Sequence, residues 1–195
     1  MRPLGRVSES CALVLVVPLA LLLATSASAT TIQHLDTREL TLDSPDIVVG
    51  QVGEIRSYWN PSHTRIFTDV TVQVAEALKG AASDRLTLTQ LGGEVDGVRY
   101  NVPGCPAFRP GEQALLFVWR DARGRAQVNA MAQGKFDIRT DPSTHERLVQ
   151  RSAPGFGVRD VKTLRVLAAG QPSPRLRYDD LVREIRRTLA EQTEH

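Results

Sequence analysis

Cysteine is nearly absent from this chain. Two of its 195 residues are cysteine, Cys11 and Cys105. A disulfide-built scaffold needs paired cysteines in its folded part. Cys11 lies in an N-terminal apolar run, so Cys105 stands alone and stability must come from an ordinary hydrophobic core. Aromatics are also scarce, at 5% of the chain, too few for the stacking platforms that hold single-stranded nucleic acid. Neither sign of charge dominates. The net charge is +2, without the basic footprint expected for nucleic acid or an anionic membrane.

Catalytic motifs are missing as well. There is no G-x-S-x-G to present a serine nucleophile, no H-E-x-x-H for zinc and no C-x-x-C. Gly92-Gly93 lies between strand patterns with no helix start behind it to hold a phosphate. The four histidines, His34, His63, His145 and His195, are scattered and read as solvated surface residues. No metal and no cofactor are expected.

The first feature present is at the N-terminus. Arg2 and Arg6 precede an apolar run from Cys11 to Ala24, fourteen residues long. That is short for a hydrocarbon core of about 30 Å. Ala27-Ser28-Ala29 follows as a small-x-small site, and the three parts together predict a secretory signal peptide over residues 1–29, cleaved after Ala29. Cys11 precedes the apolar run's end, which argues against a lipoprotein. The remaining 166 residues carry 22 basic and 21 acidic side chains, a net charge of +1. That length suits one domain. The expected location is the periplasm or the outside of the cell, with no membrane span after cleavage.

Residues 30–44 form a mixed lead-in, with a short helix near Asp36 to Leu40. "DIVVGQVGEIRSYW" then reads as a strand bent at Gly50 and Gly53, where glycine marks a bulge. "RIFTDVTVQVAEAL" alternates most cleanly. Ile66, Val70, Val72 and Val74 fall on one face, with Phe67, Asp69, Thr71 and Gln73 on the other. "RLTLTQL" follows, with Leu86 and Leu88 in phase. "GVRYNV" resumes after Gly92-Gly93, and the nearly continuous apolar run "QALLFVW" predicts a central strand. "AQVNAMAQGKFDIR" adds one or two short strands. Residues 140–177 read as an irregular linker, and periodicity leaves residues 158–170 open between helix and strand. Residues 178–195 predict an amphipathic helix, with Leu181, Ile185 and Leu189 on one stripe and Asp179 and Asp180 at its start. The stripe predicts docking, on the chain's own strands in preference to a partner.

Five or six short, evenly spaced strands suggest a barrel or sandwich. The succession "SPDIVVGQVGEI", "DVTVQVAEALKG", "LTLTQLGG" and "FRPGEQALLFV" resembles the netrin-like module, also found in tissue inhibitors of metalloproteinases. It also looks like a group of secreted bacterial proteins of unknown activity that share an "LGGEV…F..GE..LLF" run and a "QGKF". The resemblance covers roughly Pro45 to Trp119 and implies a mainly β fold, a small closed OB-fold-like barrel over residues 45–139 with the C-terminal helix attached. Metalloproteinase inhibitors of that class chelate zinc through an N-terminal cysteine. The predicted mature chain starts at Thr30, so no inhibitory residue carries over.

In OB-folds the loops after the first and fourth strands flank the binding face. Here these are Ser57–Thr64, with Tyr58, Trp59 and His63, and Pro103–Glu112, with Cys105, Phe108 and Arg109. These six are the candidate binding residues; aromatics and arginine dominate interface energetics. The other reading is that Trp59 and Phe108 plug the barrel end. The expectation is a non-enzymatic exported module that binds a protein or small ligand. The alternatives are an inhibitor or chaperone of an exported protease, metalloproteases included, a structural envelope component, and a hydrolase or redox protein in which Cys105 acts and His63 activates it. Cys105 itself, between Pro103 and Pro106, either faces inward as a small apolar residue or sits exposed at the binding edge.

Overall fold

The computed structural model describes residues 32–80, 83–152, 158–159, 166–167 and 173–193. The signal-peptide reading falls outside the described residues. Helix α1 (Thr37–Asp43) starts where Asp36 accepts from Glu39 N at 2.8 Å and Glu39 reaches back to Asp36 N at 2.8 Å. This reciprocal cap supplies the partners that helix-start amides lack.

The long strands follow: β2 (Asp46–Trp59), β3 (Ile66–Lys79), β4 (Arg85–Leu91) and β7 (Gln113–Arg120). Shorter strands are β1 (Ile32–Gln33), β5 (Gly93–Val95), β6 (Val98–Tyr100), β8 (Ala126–Val128), β9 (Lys135–Thr140), β10 (Arg147–Arg151), β11 (Val158–Arg159), β12 (Val166–Leu167) and β13 (Leu176–Arg177). The main sheet runs β13-β10-β9-β7-β2-β3-β4-β8. Strand β7 pairs β2 along one edge; along the other, β9 takes Gln113–Leu116 and β8 takes Val118–Arg120. Strand β8 also meets β4 at Leu88↔Ala126. The pairings therefore make a ring of five strands, β2-β3-β4-β8-β7.

Strands β2 and β7 are apolar on both faces because both faces are covered. Inside the ring, Val48, Val52, Val70, Val72, Leu88 and Leu116 pack together. On the other face of β2 and β7, Ile47, Val49, Leu115 and Phe117 pack with Phe136 and the helices. Helix α2 (Tyr178–Thr193) docks there through Leu181, Val182 and Ile185, with Leu189 partly buried beside them. Arg186 pairs with Glu76 of β3 at 2.9 Å at the rim. No helix among the described residues is long and apolar enough to cross a membrane.

One difference from the sequence expectation stands out, and one open point is decided. The segment expected as an irregular linker contains β10, which adds to β9 in register from Arg147↔Thr140 to Arg151↔Phe136. Within residues 158–170, Val158–Arg159 and Val166–Leu167 are paired strands; the rest lies outside the described residues.

The β9–β10 turn is organised by Asp141. Its carboxylate accepts from Ser143 N at 2.8 Å and Thr144 N at 3.1 Å, and from the Ser143 hydroxyl. These bonds, the Ser143 side chain first, pull its pKa from 3.8 down to about 2. Because the folded value is the lower one, the turn's contribution is complete above the unfolded pKa and is lost as pH falls through about 2. A carboxyl titration followed by NMR should place the Asp141 midpoint near 2, and Ser143→Ala should move it back toward the ordinary carboxylate range.

Candidate functional site

The ring interior is apolar until one end. Ile55, Val70 and Leu88 sit opposite one another across β2, β3 and β4, and the next inward rung is Ser57, Thr68 and Gln90. Three polar side chains thus replace aliphatic ones in the same phase. Ser57 Oγ and Thr68 Oγ1 are hydrogen-bonded at 2.8 Å, and Thr68 Oγ1 donates to Gly92 O at 2.7 Å. The chain leaves β4 directly over these hydroxyls. Gly93 has φ +135°, and a Cβ there would lie within 2.5 Å of Ser57 Oγ and closer still to Thr68 Oγ1. Only glycine accommodates both the backbone angle and the close approach.

The facing wall is the loop from Asn101 to Glu112, and it is pinned at both ends. Ala132 N donates to Gly104 O at 2.8 Å. Gly111 N donates to Val52 O at 2.7 Å, and Val52 N donates to Glu112 O at 2.9 Å. Beneath the loop lies Lys135, 1% exposed. Its ammonium pairs with Asp137 and with Glu112 Oε1, the latter at 2.9 Å, and lies 5.1 Å from the Phe108 ring centre. Glu112 Oε1 is within ion-pair distance but outside hydrogen-bond geometry, so charge attraction alone holds that contact.

Between rung and loop lies an open cleft of about 320 Å³. Ile55, Leu91, Val102 and Phe108 give it apolar walls, and Cys105 and Tyr100 line it too. None of the described residues lining it is charged. Cys105 is half-buried and burial pushes its thiol pKa up, so the thiol stays protonated at neutral pH. A protonated thiol is a poor nucleophile.

No protein-family model matches the chain, and a search of curated proteins finds no significant match.

The six sequence-predicted site residues do not converge. Cys105 and Phe108 line the cleft; Phe108 also packs against the ring-interior cluster. Arg109 is exposed and is not among the residues that line the cleft. Trp59 stacks on His63 with ring centres 5.9 Å apart, within the β2–β3 turn. Tyr58 donates its hydroxyl to Asp69 Oδ1 at 3.2 Å, and burial, then the Asp69 charge, raises its pKa. The turn after Trp59 borders a different hollow, lined by Arg65, Phe67, Arg123 and Arg125. His63 is therefore not part of the cleft that holds Cys105. Among the described residues, no group of three or more His, Cys, Asp and Glu is arranged to hold a metal ion.

Sequence reasoning passed over Ser57, Thr68 and Gln90. A signal for Gln90 was present: in "RLTLTQL" it continues the phase of Leu86 and Leu88. A polar residue at a core-phase position is an error in packing terms unless it has a use.

Proposed function

We propose that this is an exported, non-enzymatic binding module, an OB-fold-type barrel of netrin-like kind, that takes its ligand in the cleft at the end of the five-strand ring. The observation that carries this reading is the cleft itself. It is open, uncharged, walled by apolar side chains and floored by a polar rung, and its outer wall is a loop held at both ends. Pockets that bind small ligands have this makeup: mostly apolar, with a few placed polar groups. Export rests on the N-terminal signal pattern. The raised thiol pKa of Cys105 and the separate location of His63 both count against a cysteine enzyme.

The test uses Ala107→Trp. Ala107 is exposed and lines the cleft, so a tryptophan there obstructs the mouth without entering the core. Envelope extract is passed over immobilised wild-type and Ala107→Trp protein. The reading expects compounds or proteins held by wild type to be lost from the variant. Identical recovery from both would sink it.

A further inference from the structure

We propose that the cleft takes an uncharged ligand in which an amide adjoins an apolar group, and that Gln90 meets the amide; this rests on the cleft being the binding site. Gln90 is 8% exposed and lines the cleft. Its Nε2 has no hydrogen-bond partner among the described residues and is closed to solvent in the free protein, so a turn of the carboxamide is needed to bring it to a ligand. A buried donor left unpaired is unfavourable and rare in folded proteins. Its neighbours on the rung do not relieve it, since Ser57 and Thr68 are engaged with each other and with Gly92.

A carboxamide offers a donor and an acceptor side by side. The complementary group is a second amide, whose N–H reaches the oxygen and whose carbonyl receives the N–H once the carboxamide turns toward it. Charged ligands fit poorly. A carboxylate or ammonium would be desolvated against a lining without a counter-charge. The walls formed by Ile55, Leu91 and Phe108 suit an aliphatic group next to the amide. At the mouth, Tyr100 lines the cleft and is 40% exposed, and Val98, 49% exposed, falls on the same side of β6. A longer ligand would find this apolar pair beside the cleft. A free small amide and a peptide segment share this chemistry.

The experiment follows backbone amide shifts of the labelled protein by NMR. It uses isocaproic acid, its methyl ester, its N-methylamide, and an acetylated, amidated tetrapeptide of alternating serine and leucine. The N-methylamide should shift cleft residues and bind about tenfold tighter than the ester, the worth of one good hydrogen bond. The acid should be weaker than both at neutral pH. Gln90→Leu should weaken the amide about tenfold and erase its advantage over the ester, while melting at or above wild type because it removes an unpaired buried group. A tetrapeptide roughly tenfold tighter than the N-methylamide assigns a peptide; equal affinity assigns a small amide; either supports the amide chemistry. If Ala107→Trp abolishes binding but Gln90→Leu leaves it unchanged, the inference is overturned and the cleft remains the site. If binding persists in Ala107→Trp, both are overturned. Absence of binding by either amide probe overturns the inference, and the envelope capture then decides the wider reading alone.

Discussion

Lys135→Met is expected to cost about 3 kcal/mol of folding stability, the cost of removing one partner from a buried ion pair. The side chain is 2% exposed and serves two carboxylates, Glu112 and Asp137. Methionine fills much the same volume, so the loss is chiefly electrostatic: two acids are left facing each other with their cation gone. The same ammonium lies under the Phe108 ring. The Asn101–Glu112 loop should therefore loosen as well, with faster hydrogen exchange at Gly111 and Val52, whose amides close the loop's end. Urea unfolding measures the first effect. A loss below about 1 kcal/mol would mean that solvent, not Lys135, stabilises the carboxylates.

Phe117→Ala is expected to cost about 4 kcal/mol, within the range for deleting a fully buried aromatic. Phe117 is 0% exposed and meets Phe136 with ring centres 5.8 Å apart. It sits where β7 faces the helices, in the cluster with Leu40 of α1 and Leu181 and Ile185 of α2. Its neighbour Leu116 faces the opposite way, into the ring. The cavity thus opens on the helix side, and α2 should fray before the ring does. Unfolding monitored by the fluorescence of Trp59 and Trp119, both on ring strands, and by the helical signal would reveal this as transitions that separate. A loss comparable to that of a surface substitution would show that the helices repack without Phe117.

The long strands were legible because each is half-buried or buried on both sides, and both states leave a plain pattern. Alternation marked β3, and the unbroken apolar run marked β7. The C-terminal helix was legible for the same reason, through Leu181 and Ile185. Strand β10 was not, because "RLVQR" buries little beyond Val149, and it follows a polar turn that Asp141 organises. Pairing with β9 makes it a strand, and pairing is not written in its own five residues.

The binding edge was half legible. Prolines and glycines marked the loop around Cys105 and Phe108. The β2 side was misjudged through a parity change. Between Val52 and Ile55, β2 carries one more residue than the facing stretch of β3. This bulge flips the alternation, so Ser57, not Tyr58, faces into the ring end. Gly53 hinted at the bulge, but its position relative to β3 depends on the register between the strands.

The central claim is that the cleft holding Cys105 is a ligand site and not a catalytic centre. The direct measurement is the rate at which iodoacetamide alkylates Cys105 at neutral pH, read on the Cys105 peptide by mass spectrometry, with and without saturating isocaproic N-methylamide. Burial raises the thiol pKa, so the rate should fall below that of free cysteine, and lower again when the amide is bound. A rate equal to or above that of free cysteine, unchanged by the amide, would contradict the account.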